Sequence, residues 1–341
     1  MLILSERDMR ACFSMADAID AADEAFRAVS KQVAVVPLRT VAELSDVSGQ
    51  LISMPGYVPA QKGTAEDGKT DTDAALGVKV LGFFESNRAR GLPTIPATML
   101  VLDPTTGVAS ALLNGTYLTQ LRTAAASGIA TKLLAREDAR IGALIGAGGQ
   151  AACQLEALLA ARDLDEVRVA DARPGAAAAL VDALQESLGE TYGATLVACD
   201  SVKACVENAD VITAVTTAVD PVLEVDWLKP GVHVNGVGSY TPEMHELPGA
   251  LFADAAVCAL DSRDAVLSED GEIIDALEQG LLAPDDLCEI GEISLGRATG
   301  RTSASDITVF KTVGVAAEDL VTAARIVAAA QVQGIGVEVE M

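Results

Sequence analysis

The stretch 141–158, IGALIGAGGQAACQLEAL, constrains the fold more than any other part of this chain. Residues 141–145 form a short apolar run that reads as a buried strand, and 149–161 reads as a helix. Between them lies Gly146-Ala147-Gly148-Gly149-Gln150-Ala151. Gly146 permits a tight turn, Gly148 lets the backbone approach a pyrophosphate, and Ala151 is small enough for close helix–strand packing. The new helix offers unpaired N–H groups and a positive dipole end to an anion. The next strand, 167–170, ends in Asp171, 25 residues after Gly146. An acid there can accept hydrogen bonds from an adenosine ribose. The alternative is an ordinary glycine-rich turn. The strand before it, the helix after it and Asp171 favour dinucleotide binding. Asp171 favours NAD, because a carboxylate repels the 2′-phosphate of NADP. Arg173, two residues on, keeps NADP open.

Strand-like runs continue at 195–198, 211–215, 232–237 and 256–260, with helical segments between several of them. That alternation predicts a parallel, doubly wound sheet. The N-terminal third has another rhythm. Residues 5–31 read as helix, with Ser14 able to cap a second segment and Ile19, Ala22, Phe26 and Val29 at helical spacing. Runs at 36–41, 51–54, 76–84, 94–102 and 109–113 lie close together and predict a mixed or antiparallel sheet. The polar stretch 61–73 reads as a loop, and 117–136 as a long helix. After Asp261 come helices, a strand at 307–310 and a last helix at 316–330 that ends the ordered chain. A parallel-sheet domain flanked on both sides suggests that the two ends build one discontinuous domain.

The 341 residues allow roughly two domains. Half of them are hydrophobic, which excludes a disordered chain. No run of about 18 apolar residues is present, so no membrane partner is expected. The first ten residues already hold Glu6 and Asp8 and lack the basic, apolar start of a secretory signal, which points to the cytoplasm. With 49 Asp and Glu against 24 Lys and Arg, no nucleic-acid partner is expected. The surplus acid reads as a solvated surface. Six cysteines without a C-x-x-C pair, and only two histidines, exclude a Cys/His zinc site and leave free thiols. No metal is expected.

Cations are scarce, so their placement informs. Lys79 sits inside the apolar strand Gly77-Val78-Lys79-Val80-Leu81. It either faces solvent, the reading preferred from the strand alone, or points into a site where desolvation lowers its pKa. Arg122 lies among small residues in Thr119–Ala126. It can grip a carboxylate or cofactor phosphates, or sit on a helix surface. Arg39 alone is no more than a surface charge. His233, in a strand, and His245, in a polar loop, are weak candidates for a general base.

Taken in order, these blocks resemble the ornithine cyclodeaminase/mu-crystallin family over essentially the whole chain. The resemblance is carried by 77–87 with Gly91-Leu92-Pro93-Thr94, by LTQLRTAA at 118–125, and by 145–150. It continues through WLKPGVHVNGVG at 227–238 with Glu246-Leu247, and through Gly300-Arg301, 306–310 and Gly314. It implies an α/β protein: a Rossmann-type doubly wound parallel sheet over 126–310, and a discontinuous α+β substrate-binding and dimerisation domain from 1–125 and 311–341. It implies a homodimer that transfers hydride between a nicotinamide and the α-carbon of a small amino or imino acid. Arg39, Lys79 and Arg122 then match substrate-carboxylate positions, and Lys79 is also placed for proton transfer. Thr94, Thr123 and Thr312 match positions near the nicotinamide. Gly146, Gly148, Gly149, Gln150, Asp171 and Arg173 fall at the dinucleotide turn, and Thr216, Val237 and Gly238 match the cofactor cleft.

Two positions depart from the cyclodeaminase pattern. Where it has an aspartate, two residues after the glycine matching Gly238, this chain has Tyr240. Where it has a glutamate, this chain has Ile52. Cyclodeamination needs acids to hold the distal ammonium and move protons, whereas reducing a preformed ketimine needs an anchored carboxylate and a placed nicotinamide. The expectation is therefore an NAD(P)H-dependent cyclic ketimine reductase. Ornithine cyclodeaminase, an alanine dehydrogenase type and a non-catalytic dinucleotide-binding protein are the alternatives.

Overall fold

The computed structural model describes residues 1–62 and 72–340. The chain divides into two compact units, Met1–Arg122 with Val315–Met341, and Thr123–Gly314.

In the first unit, the strands are β1 (Leu2–Leu4), β2 (Thr40–Leu44), β3 (Gly49–Val58), β4 (Ala75–Phe83), β5 (Ala97–Leu102) and β6 (Ala109–Asn114), with a late strand at Val337–Glu338. Among the described residues the sheet order is Val337–Glu338, β1, β6, β5, β4, β3, β2. Only the β1–β6 pairing is parallel. The sheet is thus mixed, as the crowding of short runs implied. Helices α1 (Glu6–Cys12) and α2 (Met15–Ser30) each start at a serine. Ser5 and Ser14 accept the Asp8 and Asp17 N–H, and each aspartate reaches back to its cap, a reciprocal capping box. The second cap is why one continuous helix over 5–31 does not form.

Several boundaries move for identifiable reasons. The strand expected at 36–41 starts only at Thr40, after Pro37, which has no N–H to offer a ladder. The strand expected from 94 begins at Ala97, beyond Pro93 and Pro96. The loop read over 61–73 lies, from 63 to 71, outside the described residues. The last helix, Ala316–Gln333, does not end the ordered chain. Gly334 closes it in a left-handed conformation (φ 66°), and the chain returns to pair with β1. That helix packs on α2 and on β3, β4 and β5. Phe26, Ile19 and Met99 are among the fully buried side chains.

The helix α3 (Gly115–Leu134) carries the chain into the second unit. There the strands are β7 (Ile141–Ile145), β8 (Glu166–Ala170), β9 (Thr195–Ala198), β10 (Val211–Ala214), β11 (His233–Gly236), β12 (Val257–Leu260), β13 (Leu287–Glu289) and β14 (Thr308–Lys311). Their order is β13-β12-β14-β11-β10-β7-β8-β9, and every pairing is parallel. The chain winds outward from β7 through β8 and β9, then returns to β10 on the other side of β7. This is a doubly wound α/β sheet with a topological switch point between β7 and β10. Its central strands β7, β10, β11 and β14 are almost wholly buried because helices cover both faces, whereas β8, EVRVA, still alternates between buried and half-buried residues.

Candidate active site

In the first unit, strand register decides the fate of Lys79. It shares a face with Ala75, Gly77 and Leu81, opposite Met54 of β3 and Met99 of β5. That face is covered by the C-terminal helix, and Lys79 is fully buried. The solvent-facing reading of Lys79 is therefore wrong, and so is the helix-surface reading of Arg122, which is buried as well. Both meet two acids in the first turn of Ala316–Gln333. Lys79 Nζ donates to Oδ1 and Oδ2 of Asp319, each at 2.8 Å. Arg122 Nε donates to Asp319 Oδ1 at 3.1 Å, and its Nη1 lies 3.4 Å from both Glu318 oxygens. Glu318 also accepts the Val315 N–H at 2.8 Å. Burial lowers the Lys79 pKa, and Arg122 adds to the lowering; Asp319 opposes both and leaves it at about 8. Arg39, half-buried just before β2, is close enough for its charge to depress Lys79 further. Arg39, Lys79 and Arg122 thus share one electrostatic neighbourhood. Glu318 and Asp319 went unseen in the sequence, where two acids at a helix start read as ordinary partners of the helix dipole.

Beside this ion cluster lies an apolar one of Met54, Leu81 and Ala316, with Ile52 packed against it. Ile52 pairs with Leu81 across the β3–β4 ladder and so points to the same face as Lys79. Thr94 is half-buried in the loop before β5, its carbonyl accepting the Phe84 N–H at 2.9 Å.

In the second unit, the glycine turn has the form its sequence implies. Gly146 has φ 107°, and a Cβ there would sit 2.6 Å from the Val215 carbonyl oxygen. A Cβ at Gly148 would meet nothing within 4 Å, so open space lies before that backbone. Gly149 and Gln150 complete the turn. No side chain caps α4 (Ala151–Ala161), and Gln150 Oε1 is buried without a hydrogen-bond partner. Open space before Gly148 and an uncapped helix start fit a bound pyrophosphate. Asp171 Oδ2 accepts the Ala147 N–H at 2.7 Å. Arg173 folds back onto Asp171, with Nε at 3.0 Å and Nη2 at 3.1 Å, and also donates to the Ala147 carbonyl at 2.9 Å. Burial pushes the Asp171 carboxyl up, but hydrogen bonds from Arg173 and Ala147 outweigh it and hold the group below its ordinary value.

Of the other expected residues in this unit, all but Thr123 sit just beyond strand ends. Thr216 follows β10, and Val237 and Gly238 follow β11. Thr312 follows β14 and donates to Asp261 Oδ2 at 2.7 Å. Thr123 is buried in α3. Tyr240 is half-buried after Ser239. His233 is no base: its ring nitrogens lie 2.9 Å from Thr308 Oγ1 and 3.0 Å from Asn235 Oδ1, inside the sheet. His245 pairs with Asp275 at 3.1 Å. All six cysteines are unbridged.

The ornithine cyclodeaminase/mu-crystallin family model matches residues 1–334. The chain belongs to this family. A Delta(1)-pyrroline-2-carboxylate reductase of Bacillus cereus is 33% identical over 341 residues, covering all of both chains. The ketimine reductase mu-crystallin of Mus musculus is 35% identical over 84% of this chain and 82% of its own. The structure of Thermococcus litoralis Delta(1)-pyrroline-2-carboxylate reductase in complex with NADH and L-proline has a TM-score of 0.88 at 34% identity. The match covers 99% of this chain and 100% of that one.

His233 generates a stability prediction. Burial lowers its pKa from 6.5 to about 3, so below pH 6.5 the unfolded chain takes up a proton that the folded chain refuses. Stability should fall by about 1.4 kcal/mol per pH unit as pH drops from 6.5 toward 3. In His233→Gln this contribution disappears. Denaturant unfolding at pH 7 and pH 5 measures the difference, and equal slopes for the two proteins would reject the assignment.

Proposed function

We propose that this protein is an NAD(P)H-dependent imino-acid reductase. It acts on a small cyclic ketimine such as 1-pyrroline-2-carboxylate, which it reduces at the α-carbon. The observation that carries the reading is the buried Lys79–Arg122 pair beside an apolar face that contains Ile52. Two cations suit one substrate carboxylate. An isoleucine where the cyclodeaminase pattern has an acid suits a ring without a distal ammonium. The names of the bacterial and mammalian relatives support the same chemistry.

An ammonium carries three N–H donors, and Asp319 accepts two from Lys79. The third is assigned to the substrate, shared between a carboxylate oxygen and the adjacent ring nitrogen, with Arg122 and Arg39 completing the anion site. Asp319 and Glu318 hold both cations in place before substrate arrives, which removes an ordering cost from binding. With a pKa of about 8, Lys79 is charged at neutral pH yet able to release a proton toward the ring nitrogen. The residues 146–150 and the start of α4 would hold the pyrophosphate, Asp171 the adenosine ribose, and Thr94, Thr123, Thr216, Val237, Gly238 and Thr312 the nicotinamide end. When bound, the dinucleotide supplies the hydride. Arg173 is committed to Asp171, which supports NAD over NADP.

Homodimerisation is part of the proposal. Leu51 and Val80 share the sheet face opposite Lys79 and are 47% and 40% exposed, on a unit that also exposes Leu38. Leu51→Glu with Val80→Glu should halve the sedimenting mass of a wild-type dimer. An unchanged mass would place the contact elsewhere. The unbridged cysteines accord with a reducing cytoplasmic setting.

The primary test follows NADH and NADPH oxidation with 1-pyrroline-2-carboxylate, beside ammonia release from ornithine with NAD. Fast oxidation of NADH, slower oxidation of NADPH and no ammonia are expected. Proline and ammonia from ornithine would overturn the reductase reading.

The pH profile provides a second test. The charged form of Lys79 binds the carboxylate, so kcat/KM should fall as pH rises through about 8. In Lys79→Arg the cation persists above about pH 10, so this fall should vanish while turnover drops at least about tenfold for want of a proton donor. Wild-type turnover in that variant would show that Lys79 moves no proton.

A further inference from the structure

A second set of buried charges lies in the Thr123–Gly314 unit, and the mechanism above makes no use of it. Glu246 is fully buried. Its Oε1 accepts the Thr216 N–H; its Oε2 accepts the Gly238 N–H and, at 3.2 Å, that of Ser239. One carboxylate thereby ties the segment leaving β10 to the segment leaving β11. These are neighbouring strands at their carboxyl ends, beside the switch point, where an open α/β sheet receives its ligand. The two segments approach so closely that a Cβ at Gly238 would collide with the Thr216 backbone.

Glu246 is itself held from behind. Glu272 Oε1 accepts the Glu246 N–H and, at 3.1 Å, the Leu247 N–H. Lys311, buried at the end of β14, lies 2.9 Å from Glu272 Oε2 and 3.1 Å from Asp270 Oδ2. Three buried acids thus surround one ammonium. The core of a domain does not need this arrangement, since desolvating each charge costs several kcal/mol. What it achieves is a fixed acceptor pair beneath two loops.

We propose that Glu246 is a positioning residue for the dinucleotide. Its carboxylate sets the backbone at 216 and at 238–239 before NAD arrives, so that the nicotinamide half meets a preformed surface. This rests on the dinucleotide reading above. Glu246 touches neither cofactor nor substrate; it acts through the two loops. The adenosine half, assigned to residues 146–150 and Asp171, does not depend on it.

The test is direct binding to the full-length protein, by fluorescence for NADH and calorimetry for ADP-ribose. In Glu246→Gln the side chain keeps its length, but one acceptor becomes an NH2 that opposes a backbone N–H. NADH affinity should fall at least tenfold, while ADP-ribose affinity stays within twofold of wild type. Equal losses for both ligands, or no loss for either, would overturn the proposal. Wild-type protein that binds neither ligand would instead defeat the dinucleotide reading itself. Hydrogen exchange of the wild type alone gives an answer even if the variant does not fold. The amides of Thr216, Gly238 and Ser239 should be protected without NADH and gain less than twofold on its addition. Free exchange that becomes protected only with NADH would mean that the cofactor, not Glu246, orders the loops.

Discussion

A buried ammonium has to find a carboxylate, and in this chain Lys79 finds one 240 residues away at Asp319. Much of the first unit follows from that requirement. The lysine lies in the middle of a nine-residue apolar strand, shielded by Met54 and Met99 on its flanking strands. Leaving it unpaired there would cost about 3–5 kcal/mol, a large part of a domain's net stability. The C-terminal helix supplies both Asp319 and Glu318 in its first turn. Packed over β3, β4 and β5, it also supplies the apolar cover that makes the pair dry. The same interaction therefore closes the discontinuous unit and sets out the cations proposed to receive substrate. Packing and function share one contact, so the helix cannot slide along the sheet without exposing a charge to hydrocarbon.

The two units differ in how much their sequences disclose. The glycine turn is legible because three backbone requirements fall at fixed spacing: a positive φ at Gly146, open space at Gly148 and a small residue at Ala151. Such constraints act locally, and a reader of the sequence meets them in order. Lys79 gives no such signal. Its strand, ALGVKVLGF, is apolar on both faces, so alternation names no inward side, and a lysine in a strand is usually solvated. Only the register with β3 and β5, together with a helix from the far end of the chain, shows it to be buried. Family resemblance grouped Arg39, Lys79 and Arg122 in one neighbourhood, yet gave no sign of the acids that hold two of them. The strands β1, β13 and Val337–Glu338 were invisible for a simpler reason. Two or three residues are too few for periodicity to register.

The surplus of acid likewise has more than one destination. Much of it is solvated, as its quantity alone suggests. But Glu246, Asp261, Asp210 and Asp171 are each wired to backbone N–H groups at the ends of the parallel strands. Asp261 takes the Val313 and Gly314 amides at 2.9 and 2.7 Å, and Asp210 takes those of Arg140 and Ile141, both at 2.9 Å. At Asp210 and Asp171 the backbone amides share the carboxylate with cations, Arg136 and Lys229 at the first and Arg173 at the second, whereas Asp261 is held by amides and the Thr312 hydroxyl. A carboxylate accepting two or three amides fixes a loop in all directions, which a single neutral hydrogen bond does not. Both rims of the parallel sheet gain rigidity this way without a disulfide.

The apolar surface beside Lys79 bears on the choice between reductase and cyclodeaminase. A cyclodeaminase must oxidise an amine, let a second amine attack, release ammonia and return the hydride, so it has to hold a distal ammonium through several charge states. Ile52, on the Lys79 face and packed with Met54 and Leu81, offers that ammonium no counter-charge, and desolvating it there would cost several kcal/mol. A five-membered ketimine presents carbon instead, and burying those methylenes is favourable by about 0.8 kcal/mol each. In the proposed site, the same isoleucine that penalises one substrate favours the other. Selectivity in this site needs no additional polar group, only the absence of one.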